Sequence, residues 1–356
     1  MLTLTSFIFI VGVLVTIHEL GHFLAARFVG VFVEKFYIGF NAFGYGWKKI
    51  INGTEYGIGW LPLGGYVKVA GMIDESLDPD SANISNERKF KYKPMWAKIF
   101  ILSGGVIMNF LLSIFIFTFL IFQTGTYDID QSTTIGTVVE NYPAKSIGIR
   151  DGDKIISVNN LHVQDWESMT ELINKNPNEK LLITWIRGEK VYSDSLVTKT
   201  DNRIIEGDLV AVGMIGVSPL LHNREVNLFE AFGLGLNKFY SLVEMMSSSI
   251  KLLLLGKVSI NEMAGPLMIA KVAGETAVQG MYAILGLMAF LSINLGLINI
   301  LPVPGLDGGH IAIVIVEKFY GQELPIRVKM AIQQFGMLLL LLLFITIMIN
   351  DISRIF

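Results

Sequence analysis

Cysteine is absent from all 356 residues, which excludes disulfides, thiolate metal ligands and a cysteine nucleophile and leaves any metal to His, Asp and Glu. Charge is scarce too. Charged residues make up 17% of the chain against 52% hydrophobic, and mean hydropathy is +0.54, too apolar for an ordinary soluble protein. The formal net charge of -3 supplies no basic field, and no basic stripe is interleaved with aromatics, so nucleic acid is excluded as a partner. No period of about 20 to 50 residues marks a repeat array. The N-terminus lacks the basic leader and small-residue cleavage site of a signal peptide, so its apolar run reads as a retained span.

What the chain does have is four long stretches almost free of charge, over about 1–28, 99–126, 276–306 and 330–350. Each is long enough to cross a hydrocarbon core of about 30 Å as a helix. Lys and Arg crowd the cytoplasmic flanks of such spans. Here Arg88, Lys89, Lys91, Lys93 and Lys98 precede the second span, and Lys318, Arg327 and Lys329 lie between the third and fourth. Both termini and the region between spans two and three then fall on the outer side.

That intervening region, 127–221, has the composition of a soluble module with short β-rich runs. Its segment 148–160 reads as a tight turn feeding a strand and a second turn, followed by a helical stretch near 166–174. The pattern resembles a bacterial PDZ domain, a fold that binds an extended peptide as an added strand, so a peptide ligand is implied. A rigid spacer or size filter is the other reading of this module. Residues 55–69, in which β-favouring residues alternate with glycines and a proline, read as a twisted hairpin with an available edge. Between 222 and 275 apolar residues recur at helical spacing among charges, as in amphipathic helices lying on a membrane surface.

The chemistry is concentrated in the first span. His18 and His22 are four residues apart, so a helix presents both imidazoles on one face, the spacing zinc needs, and Glu19 can reach a metal-associated water without ligating. A charge at the centre of a span costs about 2.5–3.5 kcal/mol on insertion scales. Three ionisable residues in one apolar span therefore point to function. A catalytic zinc takes three protein ligands and one water, and Asp307 is the candidate third ligand, in a run with Pro302, Pro304 and glycines that interrupts the third span. Irregular backbone at membrane depth is tolerated only against protein or a water-filled cavity. His310 is a weaker alternative.

At these positions the chain resembles bacterial site-2 proteases of the regulator-of-sigma-E type. The zinc motif of that family is matched at His18, Glu19 and His22, its Leu-Asp-Gly motif at Leu306, Asp307 and Gly308, and its glycine-to-asparagine motif at Gly105 and Asn109. The likeness extends over essentially the whole chain. Val106 stands where a proline often follows the motif glycine, and there is one PDZ-like module where some members carry two. The resemblance implies zinc-dependent hydrolysis of peptide bonds in the transmembrane segments of single-span proteins, of the anti-sigma-factor or signal-peptide-remnant kind, at a multi-pass bacterial inner membrane with the PDZ-like domain on the periplasmic side. The expected partners are the transmembrane substrate and membrane lipid.

Such a substrate helix must be unwound, and its freed backbone groups need partners. Asn294 and Asn299, whose amides both donate and accept, are the expected clamps. Asn109 is expected either to touch substrate or to orient the metal-site helix. The strand around Tyr66 and Val67 is expected to add to the unwound substrate. Two rival classes are a metal-ion transporter, which leaves Glu19 without a role, and a catalytically silent PDZ scaffold, which leaves the ligands without one.

The expected fold is thus a polytopic α-helical membrane protein of four transmembrane helices, with a membrane-associated β-hairpin and one inserted PDZ-like α+β domain. It divides into a first span with the zinc motif (1–29), a cytoplasmic-side loop with the hairpin (30–97), a second span (98–126), the PDZ-like domain (127–221), amphipathic helices on the outer face (222–275), a third span with the aspartate loop (276–309), a cytoplasmic loop (310–329) and a fourth span (330–352).

Overall fold

A computed structural model describes residues 2–41, 45–72, 84–205, 208–259 and 264–355. The parts of the expected loop and amphipathic region at 73–83 and 260–263 lie outside the described residues. The chain forms two compact units, one of Met1–Leu120, Phe232–Ser247 and Gly256–Phe356, the other of Ile121–Ala231 and Ser248–Leu255.

In chain order the first unit begins with helix α1 (Leu2–Phe28) and strands β1 (Val33–Phe40), β2 (Gly46–Ile51), β3 (Thr54–Gly59) and β4 (Leu61–Val69), followed by α2 (Met95–Thr124). The second unit supplies β5 (Thr126–Ile129), β6 (Ile135–Val138), α3 (Pro143–Ser146), β7 (Lys154–Val158), β8 (Leu161–His162), α4 (Trp166–Asn174), β9 (Lys180–Arg187), β10 (Lys190–Val197), β11 (Lys199–Ile205), β12 (Asp208–Met214), β13 (Val217–Pro219) and β14 (Leu221–Arg224). Helices α5 (Leu228–Leu254), α6 (Pro266–Gln279), α7 (Met281–Asn299), α8 (Asp307–Tyr320) and α9 (Ile326–Ile355) complete the chain.

Among the described residues, α1, α2, α7 and α9 are the four helices long and apolar enough to cross a membrane. Large apolar side chains such as Leu111, Phe115, Leu341 and Leu342 are exposed on their outer faces, as expected where lipid is the solvent and all backbone groups are satisfied within the helix. Close approach of α1 and α2 depends on small residues. A Cβ on Gly21 would overlap the carbonyl oxygen of Gly104, and one on Gly104 would stand 2.6 Å from the carbonyl oxygen of Gly21. Further along the two helices Ile10, Leu14, Ile116, Phe117, Met288 and Ile293 form a buried cluster joined by Phe239 and Met246 of α5.

The third apolar stretch is more broken than its composition predicts. Gly280, at φ 108°, separates α6 from α7, and the segment expected as a cytoplasmic loop is helical as far as Tyr320. The N-terminus of α6 is capped from another helix. Fully buried Asp351 of α9 accepts the backbone N–H groups of Gly265 and Met268, each at 3.0 Å, satisfying donors that a helix start leaves orphaned.

The loop after α1 folds into one sheet of order β2-β3-β1-β4. Its hairpin is β2–β3, closed by Asn52 and Gly53 at φ 51° and 83°, the positive-φ pair that a two-residue turn requires. Strand β4 pairs antiparallel with the distant β1, Phe36 opposite Val67 and Tyr37 opposite Tyr66, while β1 pairs in parallel with β3. Tyr66 and Val67 thus lie on an edge strand.

The second unit has its own core of Ile135, Ile155, Met169, Leu181, Ile183 and Trp185. Its main sheet runs β10-β9-β7-β8, and α4 opens on a capping box between Asp165 and Ser168. Burial would raise the Asp153 carboxyl, but the Arg187 guanidinium, donating at 2.8 and 2.7 Å, holds it below the ordinary carboxylate range.

Candidate metal centre

The two histidines lie one turn apart on α1, and the third group arrives from the start of α8. Helix α7 stops at Asn299, and Pro302 and Pro304, which have no N–H to continue it, carry the chain through a turn to Leu306 in extended conformation before α8 begins at Asp307. His18 Nε2 is 3.2 Å from His22 Nε2, Asp307 Oδ2 is 3.2 Å from the first of these and 3.5 Å from the second.

A tetrahedral zinc with bonds of about 2.0–2.1 Å holds its ligand atoms about 3.3–3.4 Å apart. The observed triangle has that size. Asp307 Oδ2 is also enclosed without a hydrogen-bond partner, and two imidazole nitrogens facing the same point with a carboxylate oxygen form an arrangement that a cation stabilises. The donor set of two imidazoles and one carboxylate suits zinc.

The outer nitrogens of the rings are held as well. His22 Nδ1 donates to the Ile101 carbonyl at 2.9 Å, which leaves the Nε2 lone pair for a metal. His18 Nδ1 lies 3.1 Å from the amide nitrogen of fully buried Asn109, whose Oδ1 has no partner. With Nε2 on the metal, Nδ1 carries the proton, and a half-turn of the isosteric amide lets Oδ1 accept it. Asn109 is further anchored where Ser292 donates to its backbone carbonyl at 2.8 Å. Asn109 is thus enclosed between His18 and Ser292.

Ile101, Gly105 and Asn109 recur every four residues and therefore line one face of α2. A Cβ on Gly105 would lie 2.5 Å from His18 Cε1 and 2.6 Å from His22 Nε2. Gly105→Ala is therefore expected to displace both rings and to lower zinc affinity by about tenfold or more, the range for disturbing the support of ligands. Zinc per chain after dialysis against a graded chelator measures it, and unchanged retention contradicts the packing argument.

The amide nitrogen of Asn299 lies 3.3 Å from His18 Nε2, at the edge of the ligand cluster. Asn294 is half-buried on α7. His310 is turned away from the cluster, with both ring nitrogens 3.1 Å from the Gln333 amide. Glu19 stays outside the ligand triangle and meets strand β4, where its carboxylate lies beside the backbone N–H of Val67 and its Cγ is 3.4 Å from where a Cβ on Gly65 would stand. The Tyr66 ring is instead stacked on Tyr37, centroids 5.1 Å apart. The roles of Ile101 and of the Val67 N–H are invisible to motif reading because they belong to backbone atoms.

The profile of peptidase family M50 matches residues 6–343. A protein of Rickettsia conorii named as a zinc metalloprotease is 31% identical over 100% of both chains, and one so named from Clostridium perfringens is 32% identical over 95% of each. The regulator of sigma-E protease RseP of Escherichia coli is 28% identical over 99% of this chain and 98% of its own. That alignment has 453 positions against 356 residues here, so the relative carries additional sequence. The PDZ domain of an SdrC-like protein from Listeria monocytogenes, 14% identical, is covered over 94% of its length and 27% of this chain at a TM-score of 0.21. With its four apolar helices and its match across nearly the whole length, the chain belongs to peptidase family M50 and is a zinc-dependent, multi-pass membrane protease.

Proposed function

We propose that this protease hydrolyses peptide bonds inside the transmembrane segments of single-span membrane proteins, with His18, His22 and Asp307 holding the zinc and Glu19 acting as the general base and acid. The observation that carries this reading is the position of Glu19, between the ligand cluster and the edge of β4. Zinc held by the three ligands would supply Lewis-acid polarisation and lower the pKa of a water toward about 7. Glu19 takes the proton of the attacking water and returns it to the leaving amide nitrogen.

The substrate segment is unwound and laid along β4 as an added strand. A substrate carbonyl accepts from the Val67 N–H, beside the Glu19 carboxylate, which sets the scissile bond next to the general base. Tyr66, stacked on Tyr37, stiffens that strand. Asn299 at the cluster and Asn294 on α7 pair with the freed backbone of the substrate. Asn109 holds His18 in its ligating tautomer. The lysine-rich flanks support a periplasmic side for the PDZ-like domain, where it either takes a peptide ligand or excludes bulky proteins. Substrates of the anti-sigma-factor or signal-peptide-remnant kind follow from the family resemblance.

The test uses the full chain reconstituted in liposomes with a single-span substrate, beside a soluble, already unwound peptide of the same cleavage sequence. Cleavage within the span is expected, and its absence from zinc-loaded enzyme contradicts the proposal. Asn294→Ala is expected to slow cleavage of the membrane substrate by about tenfold, the loss of one or two backbone pairings, and to spare the unwound peptide. Equal slowing of both contradicts the clamp.

A further inference from the structure

The groups of the metal centre lie on α1 and α8, yet helix α9 holds the turn that delivers one of them. Much of α9 faces outward, with Phe335, Met337, Leu338 and Leu339 exposed. Gln333, Gly336 and Asp351 are buried and Leu340 and Ile347 half-buried, a spacing that sets them on one helical face. At one end of that face the Gln333 amide lies 3.1 Å from the His310 ring of α8. At the other, Asp351 accepts from Gly265 and Met268 at the start of α6. Between these ties Gly336 lies against Pro304, and the Leu340 side chain is 3.1 Å from where a Cβ on Gly305 would stand.

A Cβ on Gly336 would overlap the Pro304 carbonyl, a backbone group that cannot swing aside as a flexible side chain does. The same turn rests on the start of α8. A Cβ on Gly308 would overlap the carbonyl oxygens of Ile300 and Leu301, and one on Gly309 would stand 2.7 Å from the carbonyl carbon of Val303 and 2.8 Å from Pro304 Cα. The turn is therefore in backbone contact with α8 and α9 at once, which only residues without a side chain permit. Pro302 and Pro304 fix φ, and the Leu306 N–H donates to the Val303 carbonyl at 3.1 Å, so a displacement of Pro304 is passed to Asp307. Because α9 is tied on both sides of Gly336, added bulk there moves the turn and not the helix.

We infer that Gly336 is a positioning residue for the metal centre: through its backbone contact with Pro304, α9 sets the place of Asp307 Oδ2 opposite His18 and His22, a role that rests on the proposed reading of Asp307 as a zinc ligand. Such a centre tolerates displacements of only about 0.5 Å. The apolar fourth span is thereby part of what fixes zinc affinity, although it supplies no ligand.

Zinc affinity of the full chain in detergent, read by competition with a chelator, tests this. Gly336→Ala is expected to weaken zinc binding by about tenfold or more, the range for disturbing the support of a ligand, and Leu338→Ala on the exposed face of the same helix to leave it unchanged. In the Asp307→Ala background Gly336→Ala has no ligand left to move, so its further loss is expected to vanish, whereas general damage to the fold adds to it. Cobalt(II) in place of zinc gives a second signal, with ligand-field bands that shift in Gly336→Ala and not in Leu338→Ala. A cooperative thermal transition reports that each variant is folded. Where Gly336→Ala does not fold, Leu340→Ala, which removes the side chain beside Gly305 and adds no bulk, is expected to show a smaller loss in the same direction. Wild-type zinc affinity in the folded variant used, unshifted cobalt bands in Gly336→Ala, or a loss that adds in full to that of Asp307→Ala overturns the inference and leaves Asp307 a ligand. Wild-type affinity in Asp307→Ala removes the ligand itself, and the role of Gly336 with it.

Discussion

Asp307→Ala is expected to strip the chain of zinc, lowering affinity by more than about 100-fold, beyond the range seen when only the support of a ligand is lost. Asp307 supplies the one anionic ligand atom of the cluster and the only one from outside α1. Without it two neutral imidazoles on a single helix remain, and the enclosed position of Oδ2 is left to water. His310 cannot replace it, because that ring is engaged with Gln333. Metal analysis of the purified chain after equilibration with a chelator measures the effect. Zinc retained at wild-type affinity removes Asp307 from the ligand set.

Glu19→Gln separates binding from chemistry. The substituted side chain keeps its size but cannot take and return a proton, and cleavage is expected to fall by about 10²–10⁴-fold, the range for general acid–base catalysis. Zinc content should be unchanged, because Glu19 contributes no atom to the triangle of Nε2, Nε2 and Oδ2. A membrane-substrate cleavage assay with zinc measured on the same sample reads both. Undiminished cleavage contradicts the assigned role. In a metal transporter the same substitution has no reason to spare metal content while abolishing proteolysis.

Much of the centre was legible because it rests on helical periodicity. His18 and His22, and Gly105 and Asn109, are each brought to one face by four-residue spacing, and the broken stretch around Pro302 and Pro304 marked Asp307. The enclosure of Asn109 was not legible, since substrate contact and ligand support demand the same amide. The sheet was harder still. Strand β1 pairs with both β3 and β4, and the pairing of β4 with β1 skips its neighbour in sequence, a long-range choice that local alternation does not encode. Helix α8 was hidden by glycines in its first turn and by Leu306 in place of a polar cap, and the break at Gly280 by the apolar run around it. The Val67–Glu19 contact uses a backbone N–H, which every residue but proline offers.

X-ray absorption at the zinc edge of the full chain, loaded with one equivalent of zinc in membranes, addresses the ligand assignment directly. The geometry of His18, His22 and Asp307 predicts two imidazole nitrogens and otherwise only oxygen, at about 2.0–2.2 Å. A shell with one imidazole or none, or one unchanged by Asp307→Ala, contradicts it.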